Sequence, residues 1–265
     1  MENPVINVRY LTKSFRQGEK DKQVLKGIDL EVYAGEVIGY LGTNGAGKST
    51  TVKILCGILS DFEGEVNLMG HDVRKEALPL KRRIGYIPEN ATMYEHLTPV
   101  EYLEFIGTLY GLSKDYTDEK IRQMLTLFEM LDYANTRMTT FSKGMKQKIH
   151  LISGMLHDPD ILFMDEPLNG LDANAVILMK EMITELAHQG KTIFYCSHLM
   201  DVVEKIASRI ILLNDGMVMA NGSIQELKNQ TGCRSLEEVF AKLTHRQYSA
   251  ASVEQIIDLQ ENTSL

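Results

Sequence analysis

Between positions 42 and 50 the chain reads Gly42-Thr43-Asn44-Gly45-Ala46-Gly47-Lys48-Ser49-Thr50, which satisfies the phosphate-binding P-loop pattern. The run before it, Glu36-Val37-Ile38-Gly39-Tyr40-Leu41, reads as a buried strand, and a helix is expected after it, from about Gly47 to Cys56. Strand, loop, helix is the context in which this pattern has a chemical meaning. Glycines let the backbone curl so that successive N–H groups point inward at phosphate oxygens. The helix N-terminus adds its positive dipole end. In such a loop Lys48 reaches the β- and γ-phosphates, and the Ser49 hydroxyl is placed to ligate Mg²⁺. The loop predicts a nucleotide site without saying which kind of nucleotide enzyme carries it.

The rest of the chain narrows the setting. Its 265 residues suffice for one sizeable domain or two small ones. No apolar run approaches the roughly 18 residues that cross a bilayer. Met1-Glu2-Asn3-Pro4 lacks the basic and apolar regions of a signal peptide. A chain kept in the cytosol is therefore expected, free to dock on a membrane protein. The net charge of -8 argues against a nucleic-acid partner, and clusters such as Lys81-Arg82-Arg83 read as solvated surface. Cys56, Cys196 and Cys233 lie far apart, with no CxxC pair to suggest metal or redox chemistry.

Apolar alternation predicts strands at Val5 to Tyr10, Val24 to Tyr33 and Gly64 to Met69, and a short one at Ile84 to Ile87. The period then changes. Val100, Leu103, Ile106 and Leu109, then Ile121, Leu125 and Phe128, predict helices over Pro99 to Tyr110 and Asp118 to Met130. Thr98, Pro99 and Glu101 form a capping-box signal ahead of the first. From Ser142 onward helices alternate with strands at Ile161 to Met164, Thr192 to Cys196 and Arg209 to Leu213, which implies a parallel sheet covered by helices. Asn214-Asp215-Gly216 predicts a hairpin turn leading into Met217 to Ala220.

Two of these strands end in chemistry. Ile161-Leu162-Phe163-Met164 runs into Asp165-Glu166, and strand C-terminal ends face the ligand crevice of such a sheet. Asp165 there can hold Mg²⁺ through water, and Glu166 can take a proton from an attacking water. Taken alone, the pair reads equally as a solvated acidic turn. His198 follows the strand at Thr192 to Cys196, where a γ-phosphate contact is its expected use.

With these residues placed, the sequence resembles the ATP-binding cassette (ABC) family, to about Leu243. The motifs stand in the family's order: the P-loop, a Q-loop-like Tyr86-Ile87-Pro88-Glu89, and a signature-like Phe141-Ser142-Lys143-Gly144-Met145. Asp165-Glu166-Pro167 follows, then a D-loop-like Leu168-Asn169-Gly170-Leu171-Asp172 and Ser197-His198. The resemblance implies an α/β class: a mixed-sheet P-loop core with an antiparallel β subdomain and an inserted helical subdomain. Residues 1–243 would be the nucleotide-binding domain, with the helical subdomain at about 90–140, and 244–265 a C-terminal tail, either a short helix or loose. It implies ATP and Mg²⁺ as ligands, with Gly42 to Thr50 around the phosphates and Ser49, Asp165 and Glu89 near the metal. Lys48, Glu166 and His198 would be the catalytic set. Phe15 sits where the family stacks an aromatic on adenine, though a strand-end apolar contact explains it equally. Ser142 and Gly144 would meet the γ-phosphate held by a second ABC subunit, with a homodimer expected, and Asp172 would link the two sites.

Two departures stand out. Glu89 replaces the family's usual glutamine, and an ionised carboxylate accepts but cannot donate. Lys143 replaces the first glycine of the signature and Met145 its glutamine. Lys143 either assists phosphate binding or, the preferred reading, points to solvent. This variant resembles exporter ATPases. The leading expectation is thus an ATP-hydrolysing subunit, peripheral at the cytoplasmic face of the membrane, that serves a separate transmembrane permease. Tyr94, Leu97 and Tyr102 would line the permease groove or, equally, the helix core. The alternative is a soluble ABC ATPase with a non-transport partner. One P-loop, no sustained heptads and an acidic balance weigh against it. A P-loop kinase or switch GTPase leaves the signature and His198 unexplained.

Overall fold

The computed structural model describes residues 3–18, 20–90 and 92–244. A four-stranded antiparallel sheet holds β1 (Ile6–Gln17), β2 (Lys20–Val32), β4 (Glu63–Leu68) and β5 (His71–Asp72), in the order β2-β1-β4-β5. A second sheet has six strands: β3 (Val37–Gly42), β6 (Ile84–Ile87), β7 (Ile161–Asp165), β8 (Thr192–Cys196), β9 (Arg209–Asn214) and β10 (Met217–Gly222). Its order is β10-β9-β3-β8-β7-β6, parallel except for the hairpin partner β10. The fold is the mixed α/β P-loop class expected.

Strands β3, β7 and β8 are buried at every position. Parallel strands covered on both faces carry continuous apolar runs, because neither face meets water. Alternate residues serve two cores. Leu41, Leu162, Met164, Ile193 and Tyr195 pack with the helical half of the molecule. Ile38, Tyr40, Phe163 and Phe194 pack with the antiparallel sheet and with α1 (Lys48–Leu55). The Tyr40 hydroxyl donates to Thr51 Oγ1 at 3.2 Å, locking β3 to α1 across the P-loop.

Two helices lie between β6 and the signature: α3 (Pro99–Tyr110) and α4 (Lys114–Leu127), preceded in chain order by the short α2 (Ala77–Lys81). The capping box forms as expected: Glu101 N–H donates to Thr98 Oγ1 at 3.3 Å and Thr98 N–H to Glu101 Oε2 at 2.8 Å. Helix α4 is displaced from Asp118–Met130. It starts at Lys114 because Ser113 takes the extended N-cap conformation, and the polar first turn carries no apolar period. It stops at Leu127 because Glu129 adopts φ 58°, which ends a right-handed helix. Strands β1 and β2 run beyond their apolar parts as an exposed hairpin, held by ladder hydrogen bonds that need no hydrophobic pattern.

After the signature come α5 (Lys143–Met155), α6 (Ala173–His188) and α7 (Met200–Ile206), in the alternation expected. Helices α8 (Ile224–Thr231) and α9 (Leu236–Leu243) complete the described chain. The expected tail lies outside the described residues.

Arg209 clasps the two sheets. Its guanidinium donates to Glu36 Oε1 at 3.0 Å and Oε2 at 2.7 Å, to the Glu31 carbonyl at 2.6 Å, and to Asn221 Oδ1 at 3.1 Å. Both charged side chains are less than a quarter exposed. Removing one partner strands a half-buried charge, so Arg209→Ala is expected to cost about 2–3 kcal/mol in urea unfolding. A loss within the scatter of ordinary surface substitutions would show that the clasp contributes little.

Candidate nucleotide-binding site

The end of β3 turns into the loop through Gly42 and reaches α1 through Gly45 (φ 82°) and Gly47 (φ 109°), both in the left-handed region. A Cβ at Gly47 would lie 2.5 Å from Leu25 Cδ2, so neither the conformation nor the space admits a side chain. The Lys48 ammonium folds over the loop, donating to the Gly42 carbonyl at 2.8 Å and to that of Thr43 at 3.3 Å. Thr43 Oγ1 donates to Asn214 Oδ1 at 3.3 Å, fixing the loop's near rim to the end of β9.

Beside the loop, β7 delivers Asp165 and Glu166, 3% and 8% exposed. Burial holds the Asp165 carboxyl above its usual range; the Ser49 hydroxyl partly offsets this, while the nearby Glu89 charge adds to it. Glu166 is a non-glycine residue at φ 50°, a conformation that must be paid for by its surroundings. Those surroundings are specific. Glu166 N–H donates to the Cys196 carbonyl at 2.9 Å. Ser197 Oγ donates to Glu166 Oε2 at 3.0 Å, and His198 Nδ1 lies 2.7 Å from Oε1. Both carboxylate oxygens are thus oriented by residues that follow β8.

A crevice of about 600 Å³ joins these groups. Its lining comprises Asn44, Gly45, Gly47, Lys48, Ser49 and Thr50 of the loop, Glu89, Asp165, Glu166 and His198, and two residues of β2, Lys22 and Val24. The sequence reading missed Lys22 and Val24. Phe15 is absent from the lining, although its cross-strand partner is Lys22. Its ring is 39% exposed and carries the Lys13 ammonium at 4.8 Å from its centroid. The register of β1 with β2, which no sequence pattern announces, is what sets Lys22 opposite Phe15.

Ser142 and Gly144 do not line this crevice. Ser142 caps α5, accepting from Met145 N–H at 3.2 Å. A Cβ on Gly144 would lie 2.5 Å from the Gly170 carbonyl, so the signature helix packs backbone to backbone on the 168–172 segment. Gln147 Nε2 donates to the Pro167 carbonyl at 2.9 Å, and Lys148 pairs with Asp172 at 3.0 Å. Asp172 also accepts from Ala175 N–H at 2.9 Å; that bond and Lys148 hold its carboxyl below the usual range. In the helical insert Tyr102 is core, whereas Tyr94 is exposed with its ring edge-on to Phe105.

A glycine loop between a buried strand and a helix, with a strand-end acidic pair across the crevice, defines a P-loop nucleotide-hydrolysing protein. Residues 25–169 match the ABC transporter family. The chain is 32% identical to the ABC transporter ATP-binding protein NatA of Bacillus subtilis (strain 168) over 237 residues, 89% of this chain and 96% of that protein. It is 34% identical over 211 residues to the linearmycin resistance ATP-binding protein LnrL of the same organism, 80% of this chain and 68% of that protein. A solved ATP-binding subunit of an ABC transporter superposes with a TM-score of 0.83 at 30% identity, covering 91% of this chain and 99% of that one. The chain belongs to the ABC transporter family, as an ATP-binding ATPase subunit.

Lys48 braces the loop from within and lines the crevice. Lys48→Ala should therefore weaken ATP binding at least about tenfold, as loss of a charge-assisted contact requires. Calorimetric titration with ATP and Mg²⁺ measures this, and unchanged affinity would contradict the placement.

Proposed function

We propose that this ATPase moves substrate outward through a separate membrane-spanning permease, by closing on a second ATP-binding subunit whenever ATP fills the crevice. One observation carries the reading. Within one copy the crevice draws its lining from β2, the P-loop, Glu89, the end of β7 and His198, while Ser142 and Gly144, at the N-terminus of α5, are not part of it. A two-fold pairing presents each signature to the other copy's crevice and completes both sites at once. A homodimer is the simplest such pair.

Within this reading the residues divide the work. The N–H groups of Gly42 to Thr50 hold the phosphates, with Lys48 on the β- and γ-oxygens. Ser49 and Asp165 are oxygen donors on adjoining walls, as Mg²⁺ requires when phosphate and water supply its other ligands, and Glu89 borders the same space. The bound metal would neutralise charge on the transferring phosphoryl group. Glu166 accepts the proton of the attacking water, its carboxylate aimed by Ser197 and His198. The exposed edge of the His198 ring is free to meet the γ-phosphate. Phe15 or its neighbour Lys22 flanks the base. Ser142 Oγ and the N–H groups of α5 stabilise the γ-phosphate of the other copy.

We assign residues 1–243 to the nucleotide-binding domain and about 90–140 to its helical subdomain, beside which the permease docks. Among the described residues no helix is long and apolar enough to cross a membrane, which suits a peripheral subunit at the cytoplasmic face. The Lys143 and Met145 variant of the signature and the relative named for linearmycin resistance support export. The net charge of -8 supports a protein rather than a nucleic-acid partner.

Glu166→Gln keeps the side-chain shape but cannot accept a proton, so hydrolysis should fall by about 10²–10⁴-fold while ATP still binds. The protein should then persist as an ATP-dependent dimer in light scattering coupled to size exclusion. Ser142→Arg, added to it, should return the protein to monomer by filling the γ-phosphate contact. A Glu166→Gln protein that hydrolyses at the wild-type rate and stays monomeric with ATP would defeat both assignments.

A further inference from the structure

Glu89 borders two cavities. One is the nucleotide crevice. The other, about 300 Å³, lies beside α5 and is lined by Glu89, Glu95, Lys143, Lys146, Gln147 and His150, among others. The two sides offer its carboxylate different surroundings. The crevice side presents Asp165 and Glu166, both buried; of its two lysines, Lys48 is turned onto the P-loop's own carbonyls and Lys22 comes from the β1–β2 hairpin. The cavity side presents positive charge and a donor. Lys146 is engaged with Glu95 at 2.7 Å and, further along α5, Lys148 with Asp172 at 3.0 Å. Among the described residues neither Glu89 nor Lys143 enters an ion pair, and both are exposed. His150 is 8% exposed, and neither of its ring nitrogens has a hydrogen-bond partner. Its imidazole is a buried polar group in want of one.

Glu89 and Lys143 are also the charged departures from the family's motifs: a carboxylate where an amide is usual, and an ammonium where a glycine is usual. That both line one cavity suggests that the second charge answers the first. We propose that Lys143 is a positioning residue for Glu89. Its ammonium draws the Glu89 carboxylate toward the cavity beside α5 and away from the acidic wall of the nucleotide crevice, so that an incoming triphosphate meets less negative charge. The stem of Lys143 lies along Gly170, within 3.4–3.6 Å of where a Cβ there would stand, which restricts the arm's range, and the residue lines the cavity. This inference rests on the assignment of ATP to the crevice. It adds a determinant of nucleotide affinity outside the residues that touch the nucleotide, acting through the free subunit without a partner copy.

The test is a double-mutant cycle on the full chain, read as the calorimetric Kd for ATP. Lys143→Met keeps the stem over Gly170 and removes the charge. In the wild-type background it should weaken ATP binding about three- to tenfold, whereas in the Glu89→Gln background it should change the Kd by less than about twofold, because the charge it balances is gone. Lys143→Arg should restore wild-type affinity. Raising the salt should shrink the coupling, since both groups are solvent-accessible. A merely structural role for Lys143 would survive both the Glu89→Gln background and high salt. An equal loss in the two backgrounds, or no loss in either, overturns the pairing. The Lys48→Ala protein, titrated alongside, separates the two levels: if it binds ATP normally the crevice assignment fails, and if it binds weakly while the cycle is additive only the pairing fails.

Discussion

Burial of β3, β7 and β8 on both faces is the constraint from which the rest of the molecule follows. A strand with no wet face tolerates polar side chains only where it ends, so chemistry collects at the strand termini. The P-loop follows β3, the acidic pair ends β7, and Ser197 and His198 follow β8. Because these strands are hydrogen-bonded neighbours in parallel register, Asp165 pairing with Cys196 and Ile38 with Phe194, the three ends emerge side by side. The site needs no long-range coincidence of loops; the register of one sheet assembles it.

The same sheet shows how much was legible in the sequence. Strand β6, helix α3 and strand β8 fall at the bounds read from the periodicity: β8 is buried throughout, β6 is buried but for the half-buried Tyr86, and α3 opens on the Thr98 capping box. What was not legible had no apolar pattern to announce it. The outer half of the β1–β2 hairpin is exposed, the first turn of α4 is polar, and β5 is two residues long. Helices α8 and α9 did carry signals that went unread: Ser223 and Glu226 form a capping box, and Leu236 and Val239 are buried at helical spacing.

In the site, the motif residues Lys48, Ser49, Asp165, Glu166 and His198 converge as their spacing implied. The sequence could not give the dual hydrogen bonding of Glu166, because Ser197 and His198 reach it from the segment after another strand, β8, and Glu166 itself takes an unusual φ. Nor could it give Lys22 and Val24, which enter the crevice through strand pairing with the Phe15 segment. The separation of Ser142 and Gly144 from their own crevice is likewise a three-dimensional fact. It follows from the close backbone packing of α5 on Gly170, which fixes the signature to the segment leading into α6 rather than to the P-loop.

That separation makes the central claim directly testable: each hydrolytic site is built from two copies, the P-loop of one and the signature of the other. A chain carrying Lys48→Ala has a usable signature and a defective loop, and a chain carrying Ser142→Arg has the reverse. Each alone should hydrolyse ATP at background rates. Mixed in equal amounts, they form heterodimers in which one of the two sites has both intact halves, so phosphate release should recover to a substantial fraction of the wild-type rate. A mixture no more active than its components, with heterodimers confirmed by differential tagging, would mean that each crevice works with its own chain alone.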